Sequence, residues 1–474
     1  MHGLYLTFVV IYEIVVVLMI IHVLMDNRQP AKTMAWALVI YFVPFVGMIF
    51  YLFFGVNTRR ERLVSQRSMN QLTKRSMLEF VEQQGLRVAQ SHKPMVDLFI
   101  NQNLAMPFKD NSFDIYTDGY AFFPDLLAAI GKAKSHIHFD FYIFDDDALG
   151  MLIADSLIDR AHEGVEVRVI YDDVGCWNVS HKFFERMREE GIEVCAFLPV
   201  RFPSFTSKVN YRNHRKIIVI DGKVGFVGGM NIALRYVKGK DGKPWRDTMV
   251  KVEGSAVYGL QRAFLVDWYF VDRTLISDRK YYPQTLVSAP NNRIAQTVTS
   301  SPISSNPEIM QGYVRLILAA RRYIYIESPY FLPNEPVLFA LKTAALGGLD
   351  IRIIVPWKTD AGLAEWGGRS YLREMVEAGV SVYLYTGGFL HSKMLICDDS
   401  LVSCGSTNFD FRSFENNFES NTFIYDEDTA LRFKAIFLDD QTQTVEFKNV
   451  ERRMKPKFPT RLWESISRML SPLF

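Results

Sequence analysis

One short motif occurs twice in the chain, and it forces the fold to be read as two copies of one unit. The first copy runs Asn213-His214-Arg215-Lys216-Ile217-Ile218-Val219-Ile220-Asp221 and continues to Gly228-Gly229-Met230-Asn231. The second runs Leu390-His391-Ser392-Lys393-Met394-Leu395-Ile396-Cys397-Asp398 and continues to Gly405-Ser406-Thr407-Asn408. In both, Lys follows His by two, Asp follows Lys by five, Gly follows Asp by seven and Asn follows Gly by three. A lone His-x-Lys is commonplace. Five positions matched at one spacing are not.

The apolar run after each His predicts a buried strand. Side chains alternate along a strand, so His214 and Lys216 share a face, as do His391 and Lys393. Asp221 and Asp398 fall on the opposite parity, and Asp221-Gly222 is a hairpin-turn signal. Both aspartates are therefore expected to hold turns. A His beside a Lys suits an anion, because the ammonium repels a cation. Two copies supply two imidazoles, two ammoniums and two amides, enough to surround one phosphate, and no metal site is expected.

This doubled pattern resembles the phospholipase D superfamily, and within it the bacterial cardiolipin synthases. The resemblance makes His214, Lys216, Asp221, His391, Lys393 and Asp398 the motif residues. It also implies that the two halves pack about a pseudo-two-fold axis with both histidines in one cleft.

Each histidine needs a carboxylate to orient it. Glu419, in Asn416-Asn417-Phe418-Glu419, matches the family's acid after the second motif and is expected to serve His391. Asp247, in Trp245-Arg246-Asp247-Thr248, is the comparable acid of the first half, with a surface ion pair as the alternative. Asn231 and Asn408 are expected to position nonbridging phosphate oxygens. The family form has Ser after the motif glycine. Ser406 keeps it, and Gly229 departs from it with only a backbone amide to offer. Asp140 and Glu327 hold matching strand positions, and Tyr142, Tyr330, Arg412 and Ser413 are expected near the cleft.

Around the motifs, helical and extended patterns alternate in the same order. The first half reads helix 124–134, strand 137–144, helix 148–163, strand 165–171, helix 180–190, strand 192–198. The second reads helix 307–320, strand 323–326, helix 336–345, strand 351–355, helix 367–378, strand 380–385. This predicts two α/β sandwich halves with mixed sheets, over 111–290 and 291–474. Residues 277–306 read as a linker between them.

Ahead of the halves lie two apolar runs, Leu4 to Met25 and Met34 to Phe54, separated by the polar turn 26–30. Each is long enough to cross a bilayer, so 1–57 reads as an α-helical transmembrane hairpin. A cleaved signal peptide is disfavoured by the length of the first run. Glu13 inside it reads as a protonated carboxyl or a helix-packing contact. Arg59, Arg60, Arg62, Arg67, Lys74 and Arg75 follow the second run, against Arg28 and Lys32 in the turn. The positive-inside rule then places the catalytic part in the cytoplasm, on a multi-pass protein of the cell membrane. Residues 58–110, with a helical run near 71–90, read as a juxtamembrane linker.

A net charge of +2 gives no nucleic-acid bias. Cys176, Cys195, Cys397 and Cys404 form no Cys-x-x-Cys pair and read as thiols in a reducing compartment. Lys238 to Pro244 is a basic loop, read as solvated or lipid-contacting. Near the C-terminus, Leu462, Ile466, Met469, Leu470 and Leu473 share a helical face. That helix lies on a membrane or packs on the protein's own surface.

The chemistry is diester exchange. One His attacks phosphorus to give a phosphohistidine, and the other protonates the departing alcohol and then activates the incoming one. No cofactor is called for. The residues leave open which His attacks; the resemblance points to His214. It also supplies the reactants, two phosphatidylglycerols giving cardiolipin and glycerol. A phospholipase D using water, another phosphatidyltransferase such as a phosphatidylserine synthase, and an inactive lipid-binding scaffold are the alternatives. Intact motifs in both halves argue against the last.

Overall fold

The structure is a computed structural model describing residues 2–26, 30–55, 86–200, 210–239, 243, 245–283, 291–304 and 306–471. The first half builds a seven-stranded sheet in the spatial order Asn111–Tyr116, Met249–Gly254, Val224–Gly228, Lys216–Ile220, His136–Phe141, Glu166–Asp172, Glu193–Phe197. The second half repeats it strand for strand. Its order is Ile294–Ser300, Asn417–Tyr425, Leu401–Gly405, Met394–Cys397, Tyr323–Glu327, Asp350–Pro356, Ser381–Tyr385, with Thr444–Glu446 added beyond. In both sheets the last three of these shared strands are parallel and the rest antiparallel. Helices make the parallel crossovers. Ala148–His162 is one, its first turn capped by the Asp147 carboxylate accepting from the amides of Leu149 and Gly150 at 3.0 Å.

Burial explains why the motif strands read as unbroken apolar runs. Ile217 and Val219 point into a core shared by the two halves, together with Ile396, Val402 and Ile424. Ile218 and Ile220 point into the first half's own core. In the second half, Met394 and Ile396 face the shared core, while Leu395 and Cys397 face the half's own. A strand covered on both faces has no polar side to show.

Two stretches read as linker carry structure. Ile294–Ser300 is an edge strand paired along its length with Asn417–Tyr425. Its Gln296, Thr297 and Thr299 hide it among polar neighbours. Lys93–Asn103 is a helix whose Phe99 ring lies 4.5 Å from that of Phe423. Phe108 then bonds both ways with Ala295 at 2.9 Å. The segment entering the first half is thus stitched to the second.

The N-terminal reading needs two corrections. His2–Asp26 is one long helix, and its Tyr5–Met25 stretch is long and apolar enough to cross a membrane. The second run is broken into Pro30–Phe42, Pro44–Phe50 and a π turn at Tyr51–Gly55. Pro44 has no N–H to continue the helix, and its ring pushes Val43 out of helical geometry, to φ −133°, ψ 64°. Val16, Val23, Ile40 and Tyr51 still bury one another where the two runs pack. Glu13 is exposed on the outer side of the first helix, so it is not a packing contact between the runs. The basic stretch 59–75, most of the helical run near 71–90, and residues 240–242 and 244 of the basic loop lie outside the described residues. Cys176, Cys397 and Cys404 are buried and Cys195 half-buried, all as free thiols.

Candidate active site

Two small parallel ladders cross between the halves and bring the histidines together. Arg212–Asn213 pairs with Asn417–Phe418, and Phe389–Leu390 pairs with Trp245–Arg246. The ladders end with His214 donating its backbone N–H to the Phe418 carbonyl at 2.9 Å, and His391 donating to the Arg246 carbonyl at 2.7 Å. Each histidine is therefore seated on the residue just before the other half's acid.

The acids follow the same exchange. His214 Nδ1 lies 3.0 Å from Glu419 Oε1, and His391 Nδ1 lies 2.6 Å from Asp247 Oδ2. This corrects the expected pairing of His391 with Glu419. Gly228 faces Met249 in one sheet and Gly405 faces Asn421 in the other. Asp247 and Glu419, each two residues earlier, hold equivalent positions. With Nδ1–H given to a carboxylate, each imidazole keeps its Nε2 lone pair for chemistry.

Acid length explains the departure at Gly229. A Cβ there would stand 2.1 Å from Asp247 Oδ1. The longer Glu419 carries its carboxylate clear of the backbone, which leaves room for Ser406 to donate its hydroxyl to Glu419. The Gly229 amide is not available for catalysis, because it donates to the Thr248 carbonyl at 2.9 Å.

Asp221 and Asp398 behave as turn residues. Asp221 accepts from the amides of Lys134, Ser135 and His136 at 2.7–3.2 Å. Asp398 accepts from those of Arg321, Arg322 and Tyr323 at 2.8–2.9 Å. Both sit in left-handed turns, with φ of 54° and 53°. The span from Lys216 to Asp221 separates that end from the histidine by roughly 16 Å of strand. Each aspartate anchors the next strand rather than the substrate.

The two asparagines also need revising. Asn231 accepts from the Ile143 amide at 3.2 Å and donates to Tyr236 Oη at 2.8 Å. It is a brace for Tyr236, whose Oη lies 3.4 Å from His391 Nδ1. Asn408 bonds the Asp410 carboxylate through its side chain and keeps a buried Oδ1 with no partner among the described residues. An orphan acceptor is the wrong polarity for a phosphate oxygen and the right one for a hydroxyl.

Electrostatics follow from burial. Lys216 and Lys393 are fully buried beside the histidines, each donating to the carbonyl of its own motif His. Burial pushes the Lys216 ammonium down to about 7 and that of Lys393 to about 8, with the two acids opposing the drop. Burial also lowers His214 to about 4 against the pull of Glu419. His391 is lowered too, first by burial and then by Lys393, with Asp247 opposing. Burial alone would raise both acids. Lys393 and His391 hold Asp247 below the usual carboxylate range, and His214 and Lys216 do so for Glu419. Below about pH 7 the free site thus balances two ammoniums against two carboxylates, with both imidazoles neutral.

Sequence reasoning missed the supports beneath. Asp140 lies opposite Ile217 and Glu327 opposite Met394, equivalent registers as expected. Burial, and then a neighbouring carboxylate, raises each well above its ordinary value: Asp267 acts on Asp140 and Asp440 on Glu327. One arginine serves each pair. Arg215 binds Asp267 and donates to the Glu419 carbonyl at 3.0 Å. Arg246 binds Asp440 at 2.7 Å and Glu327 at 3.5 Å. The signal was present, since Arg215 alternates with His214 and Lys216, and Arg246 precedes Asp247. The Tyr142 ring lies 5.1 Å from His214, whereas Trp245, Phe389 and Tyr236 hedge His391 at 5.6–5.9 Å. Ser413 accepts from the Asn408 amide, Arg412 donates to the Asn210 carbonyl, and Tyr330 bonds Asp360.

A family model described as "Cardiolipin synthase, PLD-like domain" matches residues 126–268 and 313–441. A second, described as "Phospholipase_D-nuclease N-terminal", matches 14–55. The major cardiolipin synthase of Bacillus subtilis (strain 168) is 38% identical over 471 residues, covering 97% of each chain. Cardiolipin synthase 2 of Bacillus anthracis is 39% identical over 458 residues, covering 95% of this chain and 88% of that one. Among solved structures, phosphatidylserine synthase from Haemophilus influenzae Rd KW20 matches with a TM-score of 0.64 at 16% identity, covering 81% of this chain and all of that one. At that identity the likeness is one of fold.

Proposed function

The chain belongs to the cardiolipin synthase family of the phospholipase D superfamily, and from that membership we propose that it moves a phosphatidyl group from one phosphatidylglycerol to another, giving cardiolipin and glycerol. The observation that carries the reading is the pair of imidazoles, each oriented through Nδ1 by a buried carboxylate of the opposite half. His214 Nε2 attacks phosphorus, the bond to the headgroup glycerol breaks, and His391 gives that oxygen its proton. The second phosphatidylglycerol then enters, His391 takes the proton of its hydroxyl, and the new oxygen displaces His214. Lys216 and Lys393 neutralise the charge spread over the nonbridging oxygens. Bonds made and broken balance, and the phosphodiester is conserved, so no nucleotide is consumed. The proposed setting is the cell membrane, with both apolar runs inserted and the catalytic halves cytoplasmic.

Membranes carrying the chain, given labelled phosphatidylglycerol and no CDP-activated lipid, are expected to yield cardiolipin and free glycerol in equal amounts. Phosphatidic acid alone would point to water as acceptor, and product that appears only with a CDP-lipid would point to another transferase. Either result overturns the proposal.

The pH profile is a second expectation. Catalysis needs one imidazolium, yet the free enzyme keeps both histidines neutral. Binding the anionic substrate must therefore take up a proton. Log kcat/KM should fall with a slope of about −1 through neutral pH. The fall should steepen above about 7, as Lys216 and then Lys393 lose their charge in the free enzyme. The phosphate raises both lysines in the complex, so kcat should hold to higher pH than kcat/KM. A kcat/KM that stays flat across neutral pH contradicts this charge balance.

A further inference from the structure

The last described helix, Phe458–Met469, is turned inside out. Its polar residues Glu464 and Ser467 are buried against the helix Gly362–Glu377. Arg373 ties Glu464 and Glu451 at 3.0 and 2.9 Å, and Arg468 ties Glu374 at 2.6 Å and lies 4.1 Å over the Tyr371 ring. The apolar side faces away from the protein. Phe458 is 78% exposed and Met469 80%, with Leu462, Trp463 and Ile466 exposed between them. Ordinary surface helices bury that stripe. This one is held in place by ion pairs, which leaves the stripe free.

The chain just before it supplies the charge. Lys448, Arg452, Arg453, Lys455, Lys457 and Arg461 are all exposed and make no ion pair among the described residues. Lys448, Arg452, Lys455 and Arg461 line a groove of about 380 Å³, with Glu377 and Glu451 on its wall. An apolar stripe beside a basic rim matches the boundary of an anionic leaflet, where acyl chains lie beside phosphates. The N-terminal stretch Tyr5–Met25 is itself long and apolar enough to cross a bilayer. A second copy of the same face would set like charges against each other.

We infer that Phe458–Met469 and its basic rim dock the second half flat on an anionic lipid surface, with lipid phosphates in the groove and the apolar stripe among the acyl chains. This gives the protein a membrane contact separate from its N-terminal helices. It does not rest on the histidine chemistry, so the test can be repeated on His214→Ala.

The full chain is placed in phosphatidylglycerol–phosphatidylcholine vesicles, with Cys195→Ser removing the half-buried thiol and Leu462→Cys, Ser465→Cys or Met469→Cys added singly. All three positions are exposed, so folding is not at stake. A membrane-impermeant maleimide should label Ser465→Cys, at the edge of the stripe, and lose most labelling at Leu462→Cys and Met469→Cys. Reversing Lys448, Arg452 and Arg461 to Glu should restore labelling at both. Full labelling of all three sites in the anionic vesicles overturns the proposal. So does protection that survives the charge reversal, or protection that appears only as the protein-to-lipid ratio rises, which would mark self-association.

Discussion

His214→Ala is expected to abolish turnover and to leave no covalent species, whereas His391→Ala should abolish turnover and still trap one. Loss of an attacking group costs on the order of 10⁶-fold in other nucleophilic enzymes, so both variants should fall to background in the steady state. They separate in the first step. With a donor whose leaving group needs no proton, His391→Ala keeps its nucleophile and loses only the base for the second step. An acid-labile phosphatidyl-enzyme should then accumulate on His214, visible by mass spectrometry after rapid quench. The surroundings agree with this division. Among the described residues, the Tyr142 ring lies by His214, while Tyr236, Trp245 and Phe389 surround His391. Apolar rings packed around an imidazolium lower the local dielectric and strengthen its contact with Asp247. An adduct on His391 in the His214→Ala chain would reverse the roles and keep the two-histidine mechanism.

How much of this was legible in the sequence depends on whether the determinant is local. The motif strands were, because burial on both faces writes a continuous apolar run. The crossover helices were, because their periodicity and closing glycines are local signals. The turn roles of Asp221 and Asp398 followed from parity and from Asp221-Gly222. The edge strand Ile294–Ser300 was not legible, since threonines and a glutamine mask a strand whose pairing is wholly long-range. The break at Pro44 was written in the sequence, but hydropathy averages over it. The pairing of acids with histidines could not be read at all. Glu419 follows its own motif histidine by 28 residues and Asp247 follows its own by 33, and nothing in those intervals says that the chains exchange partners. The exchange comes from the two-residue ladders on either side of the pseudo-two-fold. Asn231 looked free because its partner Tyr236, five residues on, has no counterpart in the second half, where Ser413 stands.

The exchange makes the second large expectation specific. Glu419→Gln and Asp247→Asn should each lower turnover by about 10⁴-fold, the scale seen when an amide replaces a carboxylate behind a catalytic histidine. The step that fails should follow the opposite half. In Glu419→Gln the new side-chain amide can donate to His214 Nδ1, which forces the proton onto Nε2 and removes the attacking lone pair. Glu419→Gln should therefore resemble His214→Ala and form no adduct with an activated donor. Asp247→Asn leaves His391 with no carboxylate to stabilise its imidazolium. It also strips the counter-charge from Lys393, whose Nζ lies 3.8 Å from Asp247 Oδ2. Asp247→Asn should therefore resemble His391→Ala and trap the phosphatidyl-enzyme on His214. Pairing within each half would invert both outcomes, because Asp247 would then serve the attacking histidine and Glu419 the acid. Rapid-quench measurement of the adduct in the two variants distinguishes these arrangements. A trapped adduct in Glu419→Gln and none in Asp247→Asn would show that the catalytic pairs do not cross between the halves.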